Sequence, residues 1–145
     1  MPQLRQYDVF ISHAWTYNNQ YYNLIELLKE YPYFNFRNYS VPEHDPIIFN
    51  TSSDLYNQLQ EQIRQSTVVL LIAGKYIKYR KWIQEEIKLA KKYNKPIIAI
   101  RPWGADILPS EAETKADVVV NWQSSSIVNA IREYSKSKIT IFYKK

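Results

Sequence analysis

Cysteine is absent from this 145-residue chain, and glycine occurs only as Gly74 and Gly104. Without cysteine there is no disulfide framework, no thiol nucleophile and no cysteine zinc site. His13 and His44 are the only histidines, too few and too far apart in sequence to suggest a metal centre. Two glycines cannot supply G-x-G-x-x-G or G-x-x-x-x-G-K-[ST], whose Cβ-free positions let the backbone approach a diphosphate. Any nucleotide is therefore handled without a Rossmann fingerprint or a P-loop. Long apolar runs are missing too, since nothing approaches the roughly 20 residues that span a bilayer. Met1–Gln6 leads directly into a strand-like run, so no secretory leader is expected. Together these absences lead us to expect a cytoplasmic protein with no membrane contact.

What remains is ordinary globular material, 46% hydrophobic and 23% charged. The length suits a single domain over residues 1–145 that folds without covalent or metal staples. The net charge of +5 is unevenly placed: eight of the 19 positive residues lie in Lys75–Lys95, against Glu85 and Glu86 alone. Such a segment reads either as a patch for phosphate-bearing ligands or as a solvated, lysine-rich helix face.

Hydrophobic periodicity organises the chain. Tyr7–Ser12 is a short β-rich run suited to a buried strand. Asn18 or Asn19 can cap a helix carrying Leu24, Ile25 and Leu28 and ending before Pro32. Phe34–Tyr39 alternates apolar and polar residues, the pattern of an edge strand. Ser40–Ser53, with Pro42 and Pro46, reads as a long loop, and Ser53 caps a helix through about Gln65. Thr67–Ala73 is the most hydrophobic run and predicts a central strand buried on both faces. A helix from about Lys81 to Tyr93, a strand over Pro96–Ile100, a loop over Arg101–Ala116 and a strand over Asp117–Val120 follow. Ser124 or Ser125 caps the last helix, after which Ile139–Phe142 fits either an added edge strand or a tail.

Strands separated by single helices imply right-handed crossovers. The expected fold is α/β, a flavodoxin-like doubly wound sheet of about five parallel strands with helices on both faces. Ligands of such sheets sit at the carboxyl ends of the strands. That rim would carry His13–Tyr17, Asn38–Pro46, Gly74–Trp82 and Arg101–Gly104.

One carboxylate is out of place. On a wheel of about 100° per residue with Ile83 at zero, Glu86 falls near 300°, inside the apolar arc of Trp82, Ala90 and Ile87. Glu85 falls near 200° by the same rule, at the edge of the arc. A carboxylate in the middle of a buried stripe is costly unless it is paired or faces a polar cavity. Trp82, four residues earlier, is its neighbour on the helix surface. An internal ion pair with a nearby lysine or arginine is the alternative reading of the same position. Other constellations are poorer. Ser12 and His13 are adjacent in a strand and point to opposite faces, so they make no nucleophile and base. Asp8 lacks the second aspartate of a phosphoacceptor fold, because the central run ends in Ile72-Ala73-Gly74. Tyrosines such as Tyr21, Tyr22 and Tyr39 could stack bases, but such residues usually fill core and interface, and no nucleic-acid partner is expected.

Tyr7-Asp8-Val9-Phe10-Ile11-Ser12-His13 resembles the first sequence box of Toll/interleukin-1 receptor (TIR) domains, and Trp82-x-x-x-Glu86 is similar to the tryptophan–glutamate pair of their NAD-cleaving members. Phe36–Pro42, Ile63–Ser66 and Ala116–Val119 with Trp122 and Ile127 narrow the likeness to the TIR-like family of Thoeris ThsB proteins from bacterial anti-phage defence. The resemblance runs from about Gln6 to Ile131. It implies a cytoplasmic bacterial enzyme that cleaves NAD⁺, as substrate and not as cofactor, at the nicotinamide–ribose bond. The ADP-ribose part would be cyclised into a messenger that activates a separate Thoeris effector, and self-association of TIR domains would contribute. It also implies Glu86 as the catalytic carboxylate, with Glu85 as the alternative. Trp82, His13, Ala14, Trp15, Asn38, Ser40 and Lys81 are the implied substrate-binding residues. Many TIR enzymes carry a basic residue soon after the first box. This chain has Ala14-Trp15 there, which turns the expected phosphate contacts to Lys75–Lys81 or Arg37. The competing expectation is a non-catalytic TIR-like assembly module with Glu86 held in an internal ion pair.

Overall fold

A strand that returns through a helix to the same sheet must lie parallel to the one before it. The computed structural model has this arrangement. It describes residues 6–12, 18–39, 52–72, 80–101 and 115–143, and their side chains except those of 18–20, 52–55, 80–83 and 136–143. In chain order the elements are β1 (Gln6–Ser12), α1 (Asn18–Glu30), β2 (Asn35–Asn38), α2 (Ser52–Gln65), β3 (Val68–Ile72), α3 (Arg80–Lys92), β4 (Ile97–Arg101), β5 (Val118–Asn121) and α4 (Ser124–Tyr143). The strands form one parallel sheet in the order β2-β1-β3-β4-β5. Strand order reverses between β1 and β3, and the crevice beyond their carboxyl ends is where sheets of this order hold ligands.

Alternation along the strands sorts the core into two layers. Val9 and Ile11 of β1 point to one face, where they meet Leu24 and Leu28 of α1 and Ile127 and Ile131 of α4. Phe10 points to the other face, against Leu59 and Ile63 of α2 and Leu89 of α3. All five residues of β3 are buried, as the unbroken apolar run predicts for a strand covered on both sides. Leu70, wholly buried in the middle strand, is a strict test of that packing. Leu70→Ala should cost about 2–5 kcal/mol, read as a lowered urea midpoint at unchanged slope.

The start of β4 is set by how α3 ends. After α3 the Lys95 amide donates to the Ala90 carbonyl (2.8 Å) and the Asn94 amide to the Lys91 carbonyl (3.2 Å). Asn94 takes φ 56°, the left-handed conformation this closure requires and that asparagine tolerates better than most residues. The chain then turns at Pro96, whose carbonyl accepts from the Val69 amide and starts β4 beside β3.

β2 is an edge strand, as its alternation predicts, with three of its four residues exposed. The end of the chain departs from expectation. Ile139–Phe142 is neither strand nor tail, because α4 continues unbroken to Tyr143. No proline or glycine interrupts the chain after Ser124, so nothing forces the helix to stop, and local β-branching yields to propagation of a helix already formed. The loop expected over Ser40–Ser53 lies outside the described residues from 40 to 51, and that over Arg101–Ala116 from 102 to 114.

Candidate active site

The helical stripe of α3 sets the site. Ile87, Leu89 and Ala90 are buried against the sheet, and Glu86 goes in with them at 8% exposure. Glu85, one residue earlier, turns outward and lies 3.7 Å from Lys88. The wheel therefore separates the two neighbours correctly: the buried carboxyl is Glu86.

Beneath Glu86 lies the end of β1. Ser12 is on the same sheet face as Phe10, two residues back, and beside Leu71 of β3 in register. It is 1% exposed, and its hydroxyl donates to Oε1 of Glu86. Among the described residues no lysine or arginine pairs with Glu86, so the internal ion pair expected of a purely structural carboxylate is not present there. Burial pushes the Glu86 carboxyl up to about 8, and the bond from Ser12 pulls in the opposite direction. At neutral pH the free protein thus holds Glu86 mostly protonated, at the carboxyl ends of β1 and β3 where the sheet order reverses. A buried carboxyl with no counter-ion favours a cationic ligand, which restores the charge balance that solvent no longer provides.

Ser12 is not among the site residues that the sequence suggests. In the sequence its neighbour is His13, whereas Glu86, which accepts from its hydroxyl, is 74 positions away. Its signal in the sequence is slight, a hydroxyl at the end of a strand, two residues beyond Phe10 on the same face.

The remaining candidates divide. Lys81 and Trp82 are in α3, with Trp82 one turn before Glu86, but their side chains lie outside the described residues. His13, Ala14 and Trp15, which follow Ser12 directly, lie outside them too, as do Ser40 and 75–79. Asn38 is not brought to Glu86. It pairs with Val9 on the α1 face of the sheet, and its amide donates to the Tyr21 hydroxyl (2.6 Å). Arg37 is engaged away from the carboxyl rim: its guanidinium donates to both oxygens of Asp8 (2.8 and 3.2 Å), near the start of β1.

The basic segment behaves as a solvated helix face where it is described, with Lys88, Lys91 and Lys92 exposed. Lys88 and Lys91 join Lys115 around a surface groove of about 350 Å³ floored by Ile87. A second groove of about 410 Å³ runs along the β2 edge between Ile25 and Phe36. Glu86 lines neither. Among the described residues no group of three acidic or imidazole side chains could hold a metal ion, and no helix is long and apolar enough to cross a membrane.

Comparison with known proteins supplies the context. The family described as Thoeris protein ThsB, TIR-like domain, matches residues 10–107. No curated protein is similar in sequence at a significant level. Among solved structures, a CMP N-glycosidase, BcmB, of Clostridium botulinum is 17% identical, covering 88% of this chain and 99% of its own, with a TM-score of 0.51. The flavoenzyme FerB, an NAD(P)H:(acceptor) oxidoreductase of Paracoccus denitrificans, is 14% identical over 91% of this chain and 97% of its own, with a TM-score of 0.49. The likeness to the glycosidase is one of fold.

Proposed function

Because this chain belongs to the TIR-like domain family of the Thoeris protein ThsB, a defence-related module, we propose that it cleaves NAD⁺ and cyclises the ADP-ribose part. The observation that carries this reading is the Glu86 carboxyl, buried without a counter-ion among the described residues and bonded to Ser12 where the sheet order reverses.

The chemistry asks for one carboxylate. When the bond between C1′ of the ribose and the pyridinium nitrogen breaks, the electron pair leaves with nitrogen and nicotinamide departs neutral. No general acid is needed, unlike the usual two-carboxylate cleavage of a neutral glycoside. The positive charge passes to the ribose, where an ionised Glu86 stabilises it across a low-dielectric gap. Binding of the cationic ring itself draws the proton off Glu86, so the substrate generates the base it needs. An adenine nitrogen or ribose hydroxyl of the same molecule then attacks C1′. A hydroxyl so used gives its proton to Glu86, whose raised affinity suits it to accept one. Trp82, one turn before Glu86 in α3, is the residue we assign to covering the ring and keeping water out, which favours closure over hydrolysis. The product would serve as the messenger to a Thoeris effector, and self-association of the domain would raise its activity.

Mass spectrometry of the products formed from NAD⁺ by concentrated protein tests the reading. Nicotinamide and a cyclic ADP-ribose isomer are expected from wild type and from Glu85→Gln, and neither from Glu86→Gln. Equal nicotinamide release by wild type and Glu86→Gln would end the proposal.

A further inference from the structure

Two polar groups face each other inside a layer that is otherwise apolar. On the α2 and α3 side of the sheet, Phe10, Leu59, Val69, Leu71 and Leu89 are all but wholly buried. The alternation of β1 places Ser12 on this face two residues beyond Phe10, where it is buried beside Leu71. Burying a hydroxyl is costly unless it is bonded, and so is burying a carboxyl. Each answers the other here, although an alanine or valine at 12 with an apolar residue at 86 would pack the layer at no such cost. The pairing is also directional. Ser12 is the donor, and donation to a carboxylate favours its charged form, against the burial that disfavours it.

From this geometry we propose that Ser12 is a positioning residue of the site, its hydroxyl fixing the Glu86 carboxyl by one oxygen and stabilising its negative charge while a cationic substrate is bound. The inference rests on Glu86 being the catalytic carboxylate, and it adds the group that keeps that carboxylate usable in a dry setting. No other described group competes for the role. Among the described residues, the titratable side chains packed on this face are Asp8, four residues before Ser12 in β1 and held by Arg37, and the phenols of Tyr56 and Tyr93 at the margin of the layer. Glu85 on α3 itself is turned toward Lys88. None of these contributes to the charge balance of Glu86.

Two readouts on Ser12→Ala and Ser12→Thr test the proposal and separate it from the reading beneath it. The first needs no turnover: the Glu86 carboxyl is titrated by ¹³C NMR in substrate-free protein, with Glu86→Gln to assign the signal. Its midpoint should move upward by about one pH unit in Ser12→Ala and stay near the wild-type value in Ser12→Thr, which keeps the donor. The second is steady-state nicotinamide release. Ser12→Ala should lose about tenfold in kcat/KM near pH 7, and the acid limb of its kcat/KM profile, which reports the free protein, should move with the NMR midpoint. An unchanged Glu86 midpoint in folded Ser12→Ala overturns the role of Ser12, whatever the rates. Absence of nicotinamide release from wild type overturns the NAD⁺ reading instead. A loss of rate in Ser12→Ala with the limb where wild type has it marks a merely structural serine and also overturns the proposal. If threonine overfills the site and unfolds the protein, the alanine midpoint alone decides.

Discussion

Between pH 6 and pH 8, kcat/KM for nicotinamide release should rise roughly fiftyfold and then level off. The free protein must ionise Glu86 before that carboxylate can stabilise the ribose cation, and burial holds its midpoint at about 8. Two pH units below the midpoint only about one molecule in a hundred is ionised, against half at the midpoint. The limb should lie lower for kcat, which reports the substrate complex, because the bound pyridinium cation favours the charged carboxyl. Initial rates at constant ionic strength from pH 6 to 9.5, with the two constants plotted separately, measure both. The sign discriminates between chemistries. A protonated Glu86 acting as general acid on a neutral leaving base would give a rate that falls above pH 8, and a falling or flat profile would rule out the carboxylate mechanism.

The second large effect is one of stability, and it runs opposite to activity. Glu86→Gln should abolish turnover and make the protein more stable at pH 8 than wild type, with the difference shrinking towards pH 5. The unfolded chain releases the Glu86 proton near 4.5, whereas the folded chain keeps it until about 8. Below 4.5 both states are protonated and nothing is lost. As pH rises through that window only the unfolded state gains by ionising, so wild-type stability falls, and the loss is complete above the folded midpoint. At about 1.4 kcal/mol per pH unit the loss has an upper limit on the order of 5 kcal/mol, reduced to a few by local relaxation and water entry. Glutamine keeps the shape and can still accept from Ser12, but has no charge to bury. Urea denaturation of both proteins at pH 5 and pH 8 provides the comparison. A glutamine variant no more stable at pH 8 than wild type would show that the carboxyl is not desolvated in the folded protein. The trade fits a site whose activity depends on a group the fold would be more stable without.

Both predictions start from a residue that a helical wheel selects. Glu86 is legible in the sequence because the 3.6-residue period of α3 is strong, with Ile87, Leu89 and Ala90 defining the buried arc and Glu85 just outside it. The buried central strand β3 is legible for a similar reason, since five consecutive apolar residues have no exposed face to alternate with. Local pattern misleads at Ile139–Phe142, where β-branched residues resemble a strand but continue α4, there being no glycine or proline to end it. It is silent at Asn38. The residue ends the edge strand as expected, but its side chain belongs to the α1 face and to Tyr21, because register with Val9 decides which way it points.

The scarcity of glycine and the lack of cysteine are enough to exclude a P-loop, a Rossmann cradle and thiol chemistry from these 145 residues, and helical periodicity is enough to bury one glutamate on the third helix. The sequence by itself also determined the alternation of strand and helix from which a parallel sheet follows. The tertiary structure alone decided what that glutamate meets. Periodicity states which face a residue shows within its own element, whereas contact across 74 positions depends on strand order and register. β1 had to lie beside β3, with Ser12 level with Leu71 and on the side where α3 packs, before the serine hydroxyl could donate to the glutamate in a dry layer.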